Sequence, residues 1–199
     1  MFYKILKPFF YLLFKIFNHF QIVGHENIPD SGAVILVGNH TSYWDPFIIG
    51  AAVNRKVNFI AKAQLFKIPL LGPLMSYFGA FPVKQGKGDR GAIEHSLEIL
   101  KEGKVLGIFI EGTRNTKNPE TMLKPLPGPA MLAIRSQATV IPVAIINARK
   151  ILWSFKRLRI IFGKPIVFHD TPEIEKKELY RRIAEELTSE ILNLKQKKA

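Results

Sequence analysis

The segment "GNHTSYWDP", residues 38–46, sets His40 five positions before Asp45 and follows the aspartate with Pro46. An imidazole can take up a proton near neutral pH, and a carboxylate on its other ring nitrogen fixes the tautomer and stabilises the imidazolium. Residues five apart on one helix lie about 140° apart, so these two can meet only if the chain turns between Thr41 and Asp45. Asp-Pro is also a helix-start pattern, with Asp45 as N-cap and Pro46 at the first helical position. A second polar run, "EGTR", holds Glu111, Gly112, Thr113 and Arg114. Its arginine can grip an oxyanion through paired N–H donors, and its glycine lets backbone approach a ligand. A third run, "FPVKQGKGDRGAI", places Lys84, Lys87 and Arg90 among glycines just ahead of a helical pattern, where a helix N-terminus adds a favourable field for an anion. Its spacing is not that of a P-loop. Taken singly, each run is also compatible with an ordinary cap or solvated turn.

The elements that would position these loops are short apolar runs rich in β-branched residues: "AVILVG", "VNFIA", "VLGIFI", "TVIPVAI" and "LRIIFGKPIVF". Helical patterns lie between them, over residues 89–102 with Gly103 as a stop, over 129–136, and over 172 to about 195. Near-continuous apolar strands alternating with helices predict an α/β fold, a single domain whose mostly buried central sheet is flanked by helices. His40 and Glu111 each follow a buried strand, and a sheet brings strand ends together, which favours one shared site. The last helix, with Leu179, Ile183, Leu187, Ile191 and Leu194 along one face, is expected to cover the sheet without contributing to a site.

The chain has 199 residues, 47% of them apolar, enough for one sizeable core. It has no cysteine, which excludes disulfides, thiolate metal sites and a thiol nucleophile. Its net charge of +13 resides in the body of the chain, because residues 170–199 carry seven basic and seven acidic side chains. Such a field suits phosphates, an anionic membrane or nucleic acid, and does not choose among them.

The opening "MFYKILKPFFYLLFKIFNHF" is interrupted by Lys4, Lys7 and Lys15, so its longest uncharged run before Lys15 has seven residues. That is far short of the roughly 18 of a spanning candidate. On a helix, Lys4, Lys7, Tyr11, Lys15 and Asn18 form a stripe about 80° wide, and the rest is apolar. The pattern predicts an N-terminal amphipathic helix, residues 1–21, lying in a membrane interface beside one domain, residues 22–199. The alternative is a helix packed on the domain's own core.

In order, "NHTSYWD", "GAFPVKQ", "FIEGTR" and "VIPVAI" resemble the four motifs of the 1-acylglycerol-3-phosphate O-acyltransferases, the lysophosphatidic acid acyltransferases with a His-x4-Asp box. Connecting segments such as "AKAQLFKIPLLGPL" are similar too, and the resemblance spans roughly residues 22–166. It departs at Gln85, where many members carry Arg. The resemblance implies acyl transfer from acyl-CoA or acyl carrier protein to the sn-2 hydroxyl of lysophosphatidic acid. It implies His40 and Asp45 as the catalytic pair and Arg114 as the phosphate ligand. Glu111 would orient the glycerol or Arg114, with Gly112, Thr113, Lys84, Lys87, Arg90 and Lys62 as further substrate-binding candidates. No metal or cofactor beyond the acyl donor is expected. The partners would be the two substrates and an anionic membrane surface, on the cytoplasmic face, with no nucleic acid. Alternatives are another acceptor, such as glycerol-3-phosphate, a different lysophospholipid or an ornithine lipid, and a nonenzymatic basic protein binding membrane or nucleic acid. The last explains the charge but not the ordered motifs, and no RNA-recognition signature is present.

Overall fold

The computed structural model describes residues 2–69, 71–77, 79–83, 89–151 and 156–196. In chain order the elements are α1 (Phe2–Asn18), β1 (Gln21–Val23), β2 (Val34–Gly38), α2 (Asp45–Ala52), β3 (Val57–Lys62), α3 (Leu71–Tyr77) and β4 (Phe81–Val83). There follow α4 (Arg90–Lys101), β5 (Val105–Phe109), α5 (Gly128–Ser136), β6 (Thr139–Ile146), β7 (Arg159–Phe162) and α6 (Lys176–Gln196). Short 3-10 turns fill some of the connections.

The strands form one sheet in the order β1-β7-β6-β2-β5-β3-β4, parallel throughout except where β6 meets β7. All five residues of β2 are buried, as its unbroken apolar run predicts. Alternate side chains supply two cores. Ile35 and Val37 pack with Leu132, Ala133, Leu187 and Ile191 from α5 and α6, while Val34 and Leu36 pack with Phe14 of α1 and Ile48 and Ile49 of α2. The result is an α/β domain of three layers, sheet between helices.

Most expected elements are present with shifted ends. Asp89 caps α4, its side chain accepting from Ala92 N–H at 3.2 Å, and the five apolar residues expected to line the last helix are all buried. That helix begins at Lys176, later than Pro172 suggests, because Thr171 and Ile174 close a turn first. The run "LRIIFGKPIVF" is not one strand. It breaks after Phe162, and Ile166 rejoins the sheet through an antiparallel bridge to Val140. Three-residue β1 and β4, one at each edge of the sheet, carry too few residues to show a period.

Helix α1 belongs to the domain on one side only. Phe14 is fully buried, and Phe10 and Phe14 meet Trp44 and each other at ring distances of 5.9–6.4 Å. Part of the polar stripe runs along the seam with the domain, while Lys15 is exposed. Asn18 is buried, Tyr11 meets Phe20 edge-on, and Lys7 Nζ donates to Asn54 Oδ1 at 2.7 Å. Desolvation in that seam holds the Lys7 ammonium below its usual pKa. Facing away from the domain are Phe9, Leu12 and Ile16, 54–58% exposed and within about 60° of one another around the helix. Among the described residues no helix is long and apolar enough to cross a membrane.

Because Phe14 is core and Leu12 is not, the two should respond differently to truncation. Phe14→Ala is expected to cost about 3–5 kcal/mol in urea denaturation, and Leu12→Ala to lie within about 0.5 kcal/mol of the parent. Equal losses would show that α1 is not seated as described.

Candidate active site

Strand β2 lies between β5 and β6, with Gly38 in register with Phe109 on one side and Val143 on the other. Parallel pairing therefore delivers the loop after β2 and the loop after β5 to the same end of the sheet. Asn39, buried, extends the pairing by one step with its side chain. It accepts from Ile145 N–H at 2.8 Å and donates to Ile145 O at 3.0 Å, fixing the loop against β6.

His40 comes next, and both of its backbone groups are held by the second loop. Its N–H donates to Glu111 Oε1 at 2.9 Å, and its carbonyl accepts from Asn115 N–H at 2.7 Å. The other Glu111 oxygen accepts from Leu123 N–H at 2.8 Å. The buried Glu111 carboxylate is thus a clamp joining three stretches of chain. The sequence alone suggested a role toward the glycerol or Arg114; the hydrogen bonds found are all to backbone.

The chain then turns, as the five-residue spacing requires. His40 Nδ1 lies 2.8 Å from Asp45 Oδ2, and the same oxygen accepts from Thr41 N–H at 2.7 Å and Ser42 N–H at 2.9 Å. One carboxylate oxygen thus gathers two backbone donors and the ring, and a carboxylate at that position makes the imidazole present Nδ1–H. The helix-start reading was right in place and wrong in detail. Asp45 is the first residue of α2 rather than its cap, and its side chain turns back to Thr41 and Ser42 instead of forward to the helix N–H groups. Its Oδ1, fully buried, has no hydrogen-bond partner among the described residues. His40 retains 18% of its side-chain exposure against 0% for Asp45, so the imidazole is the member of the pair that meets solvent.

Aromatic packing fixes the ring plane. Phe109 stacks on His40 at 4.0 Å and 10°, and Phe59 stacks on Phe109 at 6.1 Å and 12°. Gly107 makes room for this column, since a Cβ there would stand 2.4 Å from the Phe59 ring. Gly112 adopts a left-handed φ of 62°, and a Cβ would stand 2.3 Å from Leu126 Cδ1. Beyond it the loop is tied down by Asn115, whose side chain donates to Asn118 O and Thr121 O, and by Lys195 of α6, which donates to Pro119 O and Glu120 O. Burial lowers the Lys195 pKa against the opposing pull of Glu120 and Glu111. The last helix therefore braces the site loop, a part that its amphipathic pattern did not disclose.

Thr113 is exposed, and Arg114 is half-buried with its guanidinium carbon 3.4 Å from the Tyr43 ring centroid. Lys62 ends β3, next to β5, and is half-buried at the same end of the sheet. Arg90 opens α4 after the edge strand β4, exposed and three strands from β2. Lys84 and Lys87 lie outside the described residues. Among the described residues no three His, Asp or Glu side chains gather as metal ligands. Sequence reasoning passed over Tyr43, Phe109 and Asn115; the first two sit inside or beside the quoted motifs, but ring stacking leaves no spacing signal.

A family model described as Acyltransferase matches residues 19–146, which include both site loops and β6. The chain belongs to the acyltransferase family. It is 26% identical over 180 residues to a 1-acyl-sn-glycerol-3-phosphate acyltransferase of Bacillus subtilis, covering 89% of this chain and 88% of that protein. A protein of the same name from Borreliella burgdorferi is 29% identical over 172 residues, 84% of this chain and 66% of the relative. The crystal structure of the 1-acyl-sn-glycerophosphate acyltransferase PlsC from Thermotoga maritima superposes with a TM-score of 0.76 at 25% identity, over 99% of this chain and 81% of that one.

In this acyltransferase the Glu111 clamp predicts a kinetic signature. Glu111→Gln keeps one acceptor and turns an NH2 toward a backbone N–H, so the loop carrying His40 shifts. The expected result is a fall in kcat of about ten- to a hundred-fold with acceptor KM nearly unchanged. A change confined to KM would instead mark Glu111 as a substrate contact.

Proposed function

We propose that this acyltransferase moves a fatty acyl group from an acyl-CoA or acyl carrier protein thioester to the sn-2 hydroxyl of 1-acyl-sn-glycerol-3-phosphate, giving phosphatidic acid for phospholipid synthesis. One observation carries the reading most directly: the 2.8 Å contact of His40 Nδ1 with Asp45, which leaves Nε2 without a hydrogen-bond partner among the described residues. The names of the relatives supply the acceptor.

An alcohol is a weak nucleophile near neutral pH. His40 Nε2 takes the hydroxyl proton while the oxygen attacks the thioester carbonyl carbon, and Asp45 stabilises the imidazolium that forms. As the tetrahedral adduct collapses the C–S bond breaks, and the imidazolium returns the proton to the departing thiolate. The substrate hydroxyl occupies the role that serine plays in a hydrolase triad, so no covalent acyl-protein step is needed. Arg114 binds the acceptor phosphate, with Gly112 and Thr113 lining the approach and Lys62, Lys84, Lys87 and Arg90 adding positive field.

Both the lysolipid and its product reside in a bilayer surface, which gives the exposed apolar stripe of α1 a use. In this reading Phe9, Leu12 and Ile16 enter the acyl boundary and Lys15 stays at the headgroups, holding the protein peripherally on the cytoplasmic face.

Three measurements test these assignments. Product mass from a panel of lysolipids with both donor types should show lysophosphatidic acid as the preferred acceptor. His40→Ala should lower kcat by about 10²–10⁴-fold and Arg114→Ala should chiefly raise acceptor KM; full activity in His40→Ala would end the mechanism. Separately, replacing Phe9, Leu12 and Ile16 together by serine should release the protein from anionic vesicles in sedimentation without lowering its melting temperature. Deleting α1 is a poorer test, since that also removes Phe14 from the core. Undiminished vesicle binding by the triple variant would refute the placement.

A further inference from the structure

Tyr43 is in the middle of the loop that carries His40 and Asp45, yet it is 66% exposed, so the core makes little use of its ring. What the ring does touch is Arg114, whose guanidinium carbon lies 3.4 Å from its centroid. That distance is a cation–π stack. Among the described residues Arg114 has no hydrogen bond and no ion pair. The acid nearest to it in the chain, Glu111, has each carboxylate oxygen on a backbone N–H.

This manner of holding an arginine has a chemical consequence. A carboxylate partner would occupy two of the five guanidinium donors and cancel much of the charge. A ring face attracts the cation from above the guanidinium plane, whereas the N–H bonds lie within that plane and stay available. The stack also joins two loops. Tyr43 belongs to the loop after β2 and Arg114 to the loop after β5, so the ring fixes the cation relative to His40 three positions away in sequence.

We propose that Tyr43 is a positioning residue for the acceptor: it presents Arg114 to the lysolipid phosphate and so sets the distance between that phosphate and the hydroxyl facing His40. The proposal rests on the reading of Arg114 as the phosphate ligand, and adds how a half-buried arginine with no ion pair among the described residues keeps one orientation with its donors open.

The test uses the full-length protein in mixed micelles of fixed composition, with lysophosphatidic acid and a saturating acyl thioester. Tyr43→Phe keeps the ring and should match the parent. Tyr43→Leu keeps an apolar surface without the ring, and should raise acceptor KM about two- to thirty-fold with kcat nearly unchanged. In the Arg114→Ala background, Tyr43→Leu should add nothing, because the partner it positions is gone. If Arg114→Ala raises KM and Tyr43→Leu does not, the positioning role is overturned while the phosphate reading stands. If Arg114→Ala leaves KM unchanged, both fall. Additive effects in the double variant would mean that Tyr43 meets the substrate itself, overturning the proposal. So would a rise in KM that tracks lost vesicle binding by Tyr43→Leu.

Discussion

The site depends on one constraint, the parallel register of β2 with its two neighbours. Gly38 pairs with Phe109 and Val143, and Asn39 continues the ladder into β6 through its amide. From that point every position in the His40 loop is referred to the sheet. Backbone ladders in a buried parallel sheet are the least deformable part of such a domain, because both faces are packed and a slip of one residue would reverse every side chain. The imidazole thus inherits sheet-like precision although it sits on a loop.

The polar part of the site follows from the same constraint by hydrogen-bond bookkeeping. A loop bent back toward a helix start would leave buried N–H groups without acceptors. The two acids supply the acceptors: Asp45 takes Thr41 and Ser42, and Glu111 takes His40 and Leu123. Asp45 has one further contact, Nδ1 of His40, and in the proposed function that contact is what turns a folded loop into an acid–base pair. Structural and chemical demands are met here by the same carboxylate oxygen, so the loop cannot be loosened without disturbing the histidine.

How much of this was legible in the sequence can be traced residue by residue. The strands were legible because β2, β5 and β6 are buried on both faces and read as unbroken apolar runs. The pairing of His40 with Asp45 was implied by the resemblance to the His-x4-Asp family, and the five-residue spacing added that the chain must turn, with Pro46 showing where the turn must end. Strands β1 and β4 were not legible, since three residues carry no period. The orientation of α1 was not legible for a physical reason: amphipathicity marks which residues are polar, not which face has a neighbour. Here a lysine and an asparagine find partners at the seam while Phe9, Leu12 and Ile16 stay exposed. Clamps such as Glu111 onto Leu123, or Lys195 onto Pro119, join residues by geometry alone and leave no trace in spacing.

The net charge of +13 gains meaning from this arrangement. Basic excess on a surface is usually a diffuse field. In this protein the acids beside the site are withdrawn from it, buried and spent on backbone N–H groups, while Arg114 is carried by a ring that takes none of its donors. Helix α1 adds the second coordinate. Phe10 and Phe14 rest on Trp44, the residue just before Asp45, so the helix whose outer face is apolar is packed directly against the loop that holds the imidazole. A surface engaged by Phe9, Leu12 and Ile16 would have a fixed relation to His40 through one rigid aromatic contact. In the proposed function an acceptor with its phosphate in water and its chain in lipid needs both references, and the fold supplies them through two neighbouring residues of one loop, Tyr43 against Arg114 and Trp44 against α1.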